Sequence, residues 1–282
     1  MAGLLSGLSS LGLGDLENLQ LYEEPKDDKN GDKAAAPIVV EEKDLVYDRN
    51  FQCPICDSKI TSKVMKTGKA KLLRTDSDLR AVYEGIDVQK YDAIMCPKCG
   101  FTALTRYFIP MTSVQTKLIK EKICANVKVN SHDGEVYTYE EAMERYKLAL
   151  ACAVVKQAKA SEKAYICLKS AWVLRGWQEK LVEDGAPEAQ IAELKAAEKE
   201  YQKNALEGFV AAFSAESFPM CGMDETTVNF LVAALAIDTG RFEIASKLIA
   251  SILTSPSANA RMKDKARDLK DQLLEELKKT KG

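Results

Sequence analysis

From residue 138 onward, apolar positions recur every three to four residues, the spacing that lays one face of an α-helix against a core. Thr138 and Glu141 form a capping box, and the helix it opens carries Ala142, Tyr146, Ala149 and Ala153 on one face. A second helix is predicted from Ser161, with Ala164, Leu168, Ala171 and Trp172 turned toward the same core. Asp184-Gly185-Ala186-Pro187 ends it and starts a long third helix rich in Ala, Glu and Lys, whose end is crowded by Phe209, Phe213 and Phe218. Residues 226–237 and 242–253 form a further pair across an Asp238-Thr239-Gly240 turn. Residues 258–279 supply a closing helix striped with Ala266, Leu269, Leu273, Leu274 and Leu277.

Two of these segments are alike when superposed. Tyr139 and Glu140 precede Ala142, Tyr146 and Leu150, as Phe242 and Glu243 precede Ala245, Ile249 and Leu253. An aromatic enters, a small Ala lets helices approach, and larger residues follow, as in helical-hairpin repeats that stack because one pair cannot bury its face alone. A plain helical bundle has the same periodicity.

The first 110 residues follow a different pattern. Leu4, Leu5, Leu8 and Leu11, then Leu13, Leu16 and Leu19, lie among Gly and Ser in residues 1–21. They suit either a frayed tail or a short docking helix with spaced apolar anchors. Residues 22–37 have linker composition. Ile38-Val39-Val40 and Leu45-Val46-Tyr47 read as strands leading to Phe51. Residues 60–73 alternate loosely and are predicted to form an extended hairpin arm closed at Thr67-Gly68-Lys69, with a cationic face of Lys59, Lys63, Lys66, Lys69, Lys71 and Arg74. Asp76-Ser77-Asp78 then reads as a turn or cap, with Leu79, Val82 and Tyr83 as an apolar cluster, and Tyr91 to Met95 as a strand.

Charge modifies this picture only locally. The net charge of −2 hides an acidic start, with 11 acidic against 5 basic residues in 1–50, and a basic segment, with 10 basic against 6 acidic in 51–110. No apolar run approaches the ~20 residues of a membrane span, and the Leu-rich start lacks the basic flank of a signal peptide. The expected location is therefore the cytoplasm, with no membrane partner.

The chemistry concentrates in two knuckles, Cys53-Pro54-Ile55-Cys56 and Cys96-Pro97-Lys98-Cys99-Gly100. Each proline presets the bend, and Asp57 and Gly100 hold the following position, where a positive φ lets backbone amides face sulfur. Cys53, Cys56, Cys96 and Cys99 are the candidate metal ligands. Vicinal CxxC pairs in a chain without secretory features favour a metal over two disulfides. Four thiolates suit structural Zn²⁺, or Fe as in rubredoxin; the Lys-rich insertion between the knuckles favours zinc. Cys124, Cys152, Cys167 and Cys221 read as core thiols, and the lone His132 as a surface turn residue. GxGxxG, P-loop, HExxH and GxSxG signatures do not occur, so an enzyme is not expected.

The run Cys53-Pro54-Ile55-Cys56, Lys63-Val64, Arg74-Thr75-Asp76-Ser77-Asp78-Leu79, Tyr83-Glu84-Gly85, Tyr91-Asp92 and Cys96-Pro97-Lys98-Cys99-Gly100-Phe101 resembles the bacterial family catalogued as domain of unknown function 2225. The resemblance implies a split zinc-binding head joined to a tetratricopeptide-like body. The fold class expected is thus α+β, with a small antiparallel β zinc-ribbon-like head (38–110) after an N-terminal tail and linker (1–37), and an all-α helical-repeat body (111–282). The function expected is a non-enzymatic adaptor that engages a protein through the helical body or the N-terminal leucines. The alternatives are nucleic-acid binding through Lys59, Lys63, Lys66, Lys69, Lys71 and Arg74, and an iron redox protein. The oligomeric state is open.

Overall fold

The computed structural model describes residues 41–281 apart from 131 and 133. The N-terminal leucines, the linker and the Ile38-Val39-Val40 strand lie outside the described residues. The fold is α+β: three antiparallel strand pairs followed by a helical body.

Strand β1 (Val46–Gln52) pairs with β2 (Lys59–Met65), register Val46↔Met65 to Gln52↔Lys59. The first knuckle is therefore the loop of this hairpin. β3 (Leu72–Thr75) pairs with β4 (Ala81–Tyr83) around the Asp76-Ser77-Asp78 loop. A 3-10 turn (Val88–Tyr91) leads to β5 (Ala93–Met95), which pairs with β6 (Thr102–Leu104) across the second knuckle.

This corrects the arm expected at residues 60–73. The chain does turn at Gly68, with φ of 73°, but the strands on either side of that turn belong to different hairpins. The reason lies in which face of β2 is buried. Ile60 and Ser62 point inward, Ile60 joining the apolar cluster of Cys53 and Ile55, and β1 is the neighbour only a six-residue loop away. The cationic face is also partly spent: Lys63 pairs with Asp48 at 3.1 Å, Lys66 donates to the Asp44 carbonyl, and Arg74 meets Asp76 and Glu179.

The body begins with α1 (Ser113–Ile119), continued by one π-helical turn (Lys120–Cys124). α2 (Tyr139–Val155) has the expected Thr138/Glu141 capping box and buries Ala142, Tyr146, Ala149 and Ala153. α3 (Ala160–Glu183), α4 (Glu188–Ala215), α5 (Glu225–Asp238) and α6 (Phe242–Thr254) follow the predicted boundaries to within a few residues. α7 (Ala260–Lys281) buries Ala266, Leu269 and Leu273 but leaves Leu274 exposed. The two alike segments open α2, the first helix of its pair, and α6, the second of its pair. Among the described residues no helix is long and apolar enough to cross a membrane.

Strands and helices share their cores. Ala93 and Leu104 of β5 and β6 are buried with Ala142 and Tyr146 of α2 and Val173 of α3. Ile94, Phe101 and the buried thiols pack with Ile119, Ile123 and Cys152. The described residues from 41 onward accordingly lie in one compact unit.

Candidate metal centre

Both knuckles fold by the same local rule. The amide of Asp57 donates to the Cys53 carbonyl and that of Gly100 to the Cys96 carbonyl, each at 2.9 Å. Asp57 and Gly100 are left-handed, at φ of 59° and 72°, as expected. Each loop is closed by a second backbone bond, Cys53 N–H to Ser58 and Cys96 N–H to Phe101, both 2.9 Å. At Gly100 the close approach is as demanding as the dihedral angle, because a Cβ there meets Val127 Cγ1 at 2.3 Å.

The two hairpins bring all four predicted sulfurs together. Cys53 Sγ lies 3.6 Å from Cys99 Sγ and Cys56 Sγ 3.6 Å from Cys96 Sγ, and the four ligand atoms fall within 4.8 Å of one another. Contacts of 3.6 Å are far outside the ~2.05 Å of a disulfide, and all four thiols are free. A regular tetrahedron with metal–sulfur bonds of ~2.3 Å has edges of ~3.8 Å, close to what the thiols adopt. The set can therefore hold a metal ion. Cys53 and Cys96 are buried, Cys99 is half-buried, and Cys56 faces solvent.

The sulfurs' electrostatics point the same way. Hydrogen bonds from Cys53 and then Cys99 hold the Cys96 thiol down to about 2, while the contact with Cys96 pushes Cys53 up to about 12. Cys99 is pushed up by Cys53 and Cys96. Ionisation of one of these sulfurs thus opposes ionisation of its neighbours.

The remaining cysteines are less uniform than expected. Burial pushes Cys152 and Cys167 up to about 11 each, which keeps them protonated and inert. Cys221 donates to the Ser161 carbonyl at 3.2 Å. Cys124 is half-buried on the π-helical turn beside Cys99, whose hydrogen bond opposes the upward push of burial. His132 is not a surface side chain. Its ring is 3 % exposed, accepts from Arg145 Nε at 3.0 Å and faces Glu144, because the loop before α2 folds back against that helix.

The Asp76-Ser77-Asp78 turn forms a latch onto the helical body. Asp78 is fully buried and accepts from Trp172 Nε1 at 2.9 Å and from both terminal nitrogens of Arg175 at 2.8 and 3.1 Å. Arg175 also pairs with Glu198 of α4, and Arg80 forks onto Glu179. Sequence reasoning missed these partners, although Trp172, Arg175 and Glu179 share one face of α3 by their spacing. Next to the latch, β4, the 3-10 turn, the start of α2 and the end of α3 enclose a cleft of about 800 Å³. Its floor is Asp87, which accepts from Tyr139 Oη at 3.2 Å and from the Gln89 amide at 3.0 Å. Burial raises its carboxyl above the ordinary range. Asp87 Oδ2 lies 2.0 Å from where a Cβ on Gly176 falls, so α3 carries glycine there to admit the carboxylate.

A family model described as an uncharacterized protein conserved in bacteria matches residues 46–273. No curated protein and no solved structure matches the chain.

Proposed function

The chain belongs to that bacterial family, DUF2225, and on this footing we propose that it is a cytoplasmic, non-enzymatic protein-interaction module stapled by structural zinc. A closed shell of four thiolates leaves no coordination position for water or substrate, so a zinc ion there holds the two hairpins together and activates nothing. Zinc is preferred to iron because the shell is open on the Cys56 side rather than sealed in an apolar jacket. The helix pairs α2–α3 and α5–α6 suit the tetratricopeptide-like stacking of an adaptor.

The observation that carries the interaction reading is the preformed cleft above Asp87. Three of its carboxylates, Glu84, Asp87 and Glu140, have no salt-bridge partner among the described residues, whereas its Arg80, Lys90 and Lys180 are already engaged. Convergent polar groups in a concave site of this size are a usual recognition feature.

Two measurements test the reading. Metal analysis is expected to give one zinc per colourless chain; a red, iron-loaded protein overturns the zinc assignment. Gly176→Ala places a methyl group on Asp87 and is expected to abolish cross-linking of a native-host partner to the cleft while zinc content stays unchanged. The same cross-linked species at the same yield from both proteins removes the cleft from the proposal.

A further inference from the structure

Positive charge is concentrated in two segments: residues 59–75, with six basic and no acidic side chains, and the second knuckle with the helical segment clamped to it. Residues 96–130 hold six basic side chains, Lys98, Arg106, Lys117, Lys120, Lys122 and Lys128, against one acidic, Glu121, in a chain of net charge −2. Of the six in residues 59–75, Lys63 and Arg74 are paired with carboxylates and Lys66 donates to the Asp44 carbonyl. Arg106 lies over the rings of Tyr107 and Tyr165. The five lysines of residues 96–130 are all exposed.

The helical segment that carries Lys117, Lys120 and Lys122 is fixed to the knuckle that carries Lys98. Val127 sits on Gly100, and Ile119 and Ile123 are buried in the same cluster as Cys96 and Phe101. The inward side of α1 and its π-helical turn is thus spent on the metal-bearing hairpin, and the lysines are what remains outside. Among the described residues no carboxylate lies within salt-bridge reach of Lys98, Lys120, Lys122 or Lys128, and Lys117 meets only Glu121, at 3.8 Å. The exposed neighbours Thr112, Ser113 and Asn126 add hydroxyl and amide groups of the kind that contact phosphate and sugar.

We propose that this face binds the phosphate backbone of a nucleic acid. A bilayer is the poorer fit, since Ile119 and Ile123 are buried and the exposed Val114 and Ile109 offer too little apolar area for an interfacial helix. Contacts of this kind position without reading sequence, so the interaction is expected to be strongly salt-dependent and sequence-tolerant. The proposal is independent of the cleft, which lies on other elements.

The test uses the full, metal-loaded chain and fluorescence anisotropy with fluorescein-labelled 20-nucleotide single-stranded RNA and duplex DNA across a series of KCl concentrations. Binding at low salt is expected, with affinity falling linearly in log–log form. Replacing Lys98, Lys120 and Lys122 by Gln together is expected to flatten the salt slope by about 2–3 and weaken binding more than about tenfold. The control pair Lys69→Gln and Lys71→Gln, on the expected arm, leaves the slope unchanged. Three results overturn the proposal: no binding at low salt, an equal loss in the control pair, or tighter binding to phosphatidylserine vesicles or polyglutamate than to either oligonucleotide. Matched circular dichroism and melting of the variants separate lost contacts from lost fold.

Discussion

Asp78 shows how far a single side chain can act from its place in the sequence. Its two residues' distance from Asp76 reads locally as a turn, and the turn exists, with Leu79 at φ of 71°. What fixes it is Trp172 and Arg175, nearly a hundred residues on, and no local pattern announces a partner at that range. Arg175→Leu leaves Asp78 buried with an uncompensated charge, and is expected to cost ~3–5 kcal/mol in urea unfolding. A loss below ~1 kcal/mol in that assay shows that water replaces the guanidinium. Asp238 makes an opposite case. Burial, followed by the charge of Asp78, pushes its carboxyl up to about 6 against the pull of Arg175, with Glu198 and Glu276 adding to the upward push. The folded chain keeps this proton where the unfolded chain releases it near pH 4, so stability falls as pH rises from about 4 to about 6 and the penalty is constant above. Asp238→Asn is therefore expected to stabilise by ~1–2 kcal/mol at neutral pH and by almost nothing near pH 4. An equal gain at both values points to packing rather than titration.

Among the elements, those with repeated periodicity and explicit end signals were legible. The Thr138 capping box, the Asp184-Gly185 stop and the Asp238-Thr239-Gly240 turn set α2, α3 and α5 close to their observed limits. Both knuckles were legible for the same reason, since proline, cysteine spacing and a residue tolerant of positive φ specify them within a few positions. Strand partnership was not, because a short alternating run such as Lys59–Met65 fits a neighbour on either side, and only burial of Ile60 and Ser62 decides between them. α1 was overlooked although Thr112 and Gln115 repeat the capping-box spacing and make both reciprocal bonds. That cap has measurable weight, because a helix of seven residues has little intrinsic stability. Thr112→Ala is expected to cost ~1 kcal/mol locally. Faster amide exchange over residues 113–124, with the rest of the chain unchanged, is the readout; uniform acceleration everywhere places the cap in the global unfolding unit instead.

For the whole molecule, the question is whether a metal ion bound by the four cysteines would hold only its two hairpins or the entire described unit. Reading the chain as a head and a body suggests that losing the metal melts the head and spares the helices. The packing argues for the second outcome. The knuckles are the loops of β1–β2 and β5–β6, and β5 and β6 lie beneath α2, with Ala93, Leu104, Ala142 and Tyr146 in one core. Ile119 and Ile123 cover the cysteine cluster itself, and the Asp78 latch ties the intervening hairpin to α3 and α4. Without a cation, Cys53 and Cys96 must share a buried site in which further thiolate charge is opposed, and relaxing the loops moves β5 and β6 away from α2. Removing the metal by a chelator, or changing Cys99→Ser, is thus expected to lower the melting temperature of the helical circular dichroism signal itself, in one transition. The drop should amount to several kcal/mol of lost stability, since metal-binding energy at a structural site is folding energy for the unit it joins. A helical signal that melts at its original temperature after chelation, with loss confined to near-ultraviolet bands of the hairpin aromatics, makes the head and the body separate cooperative units despite their shared cores.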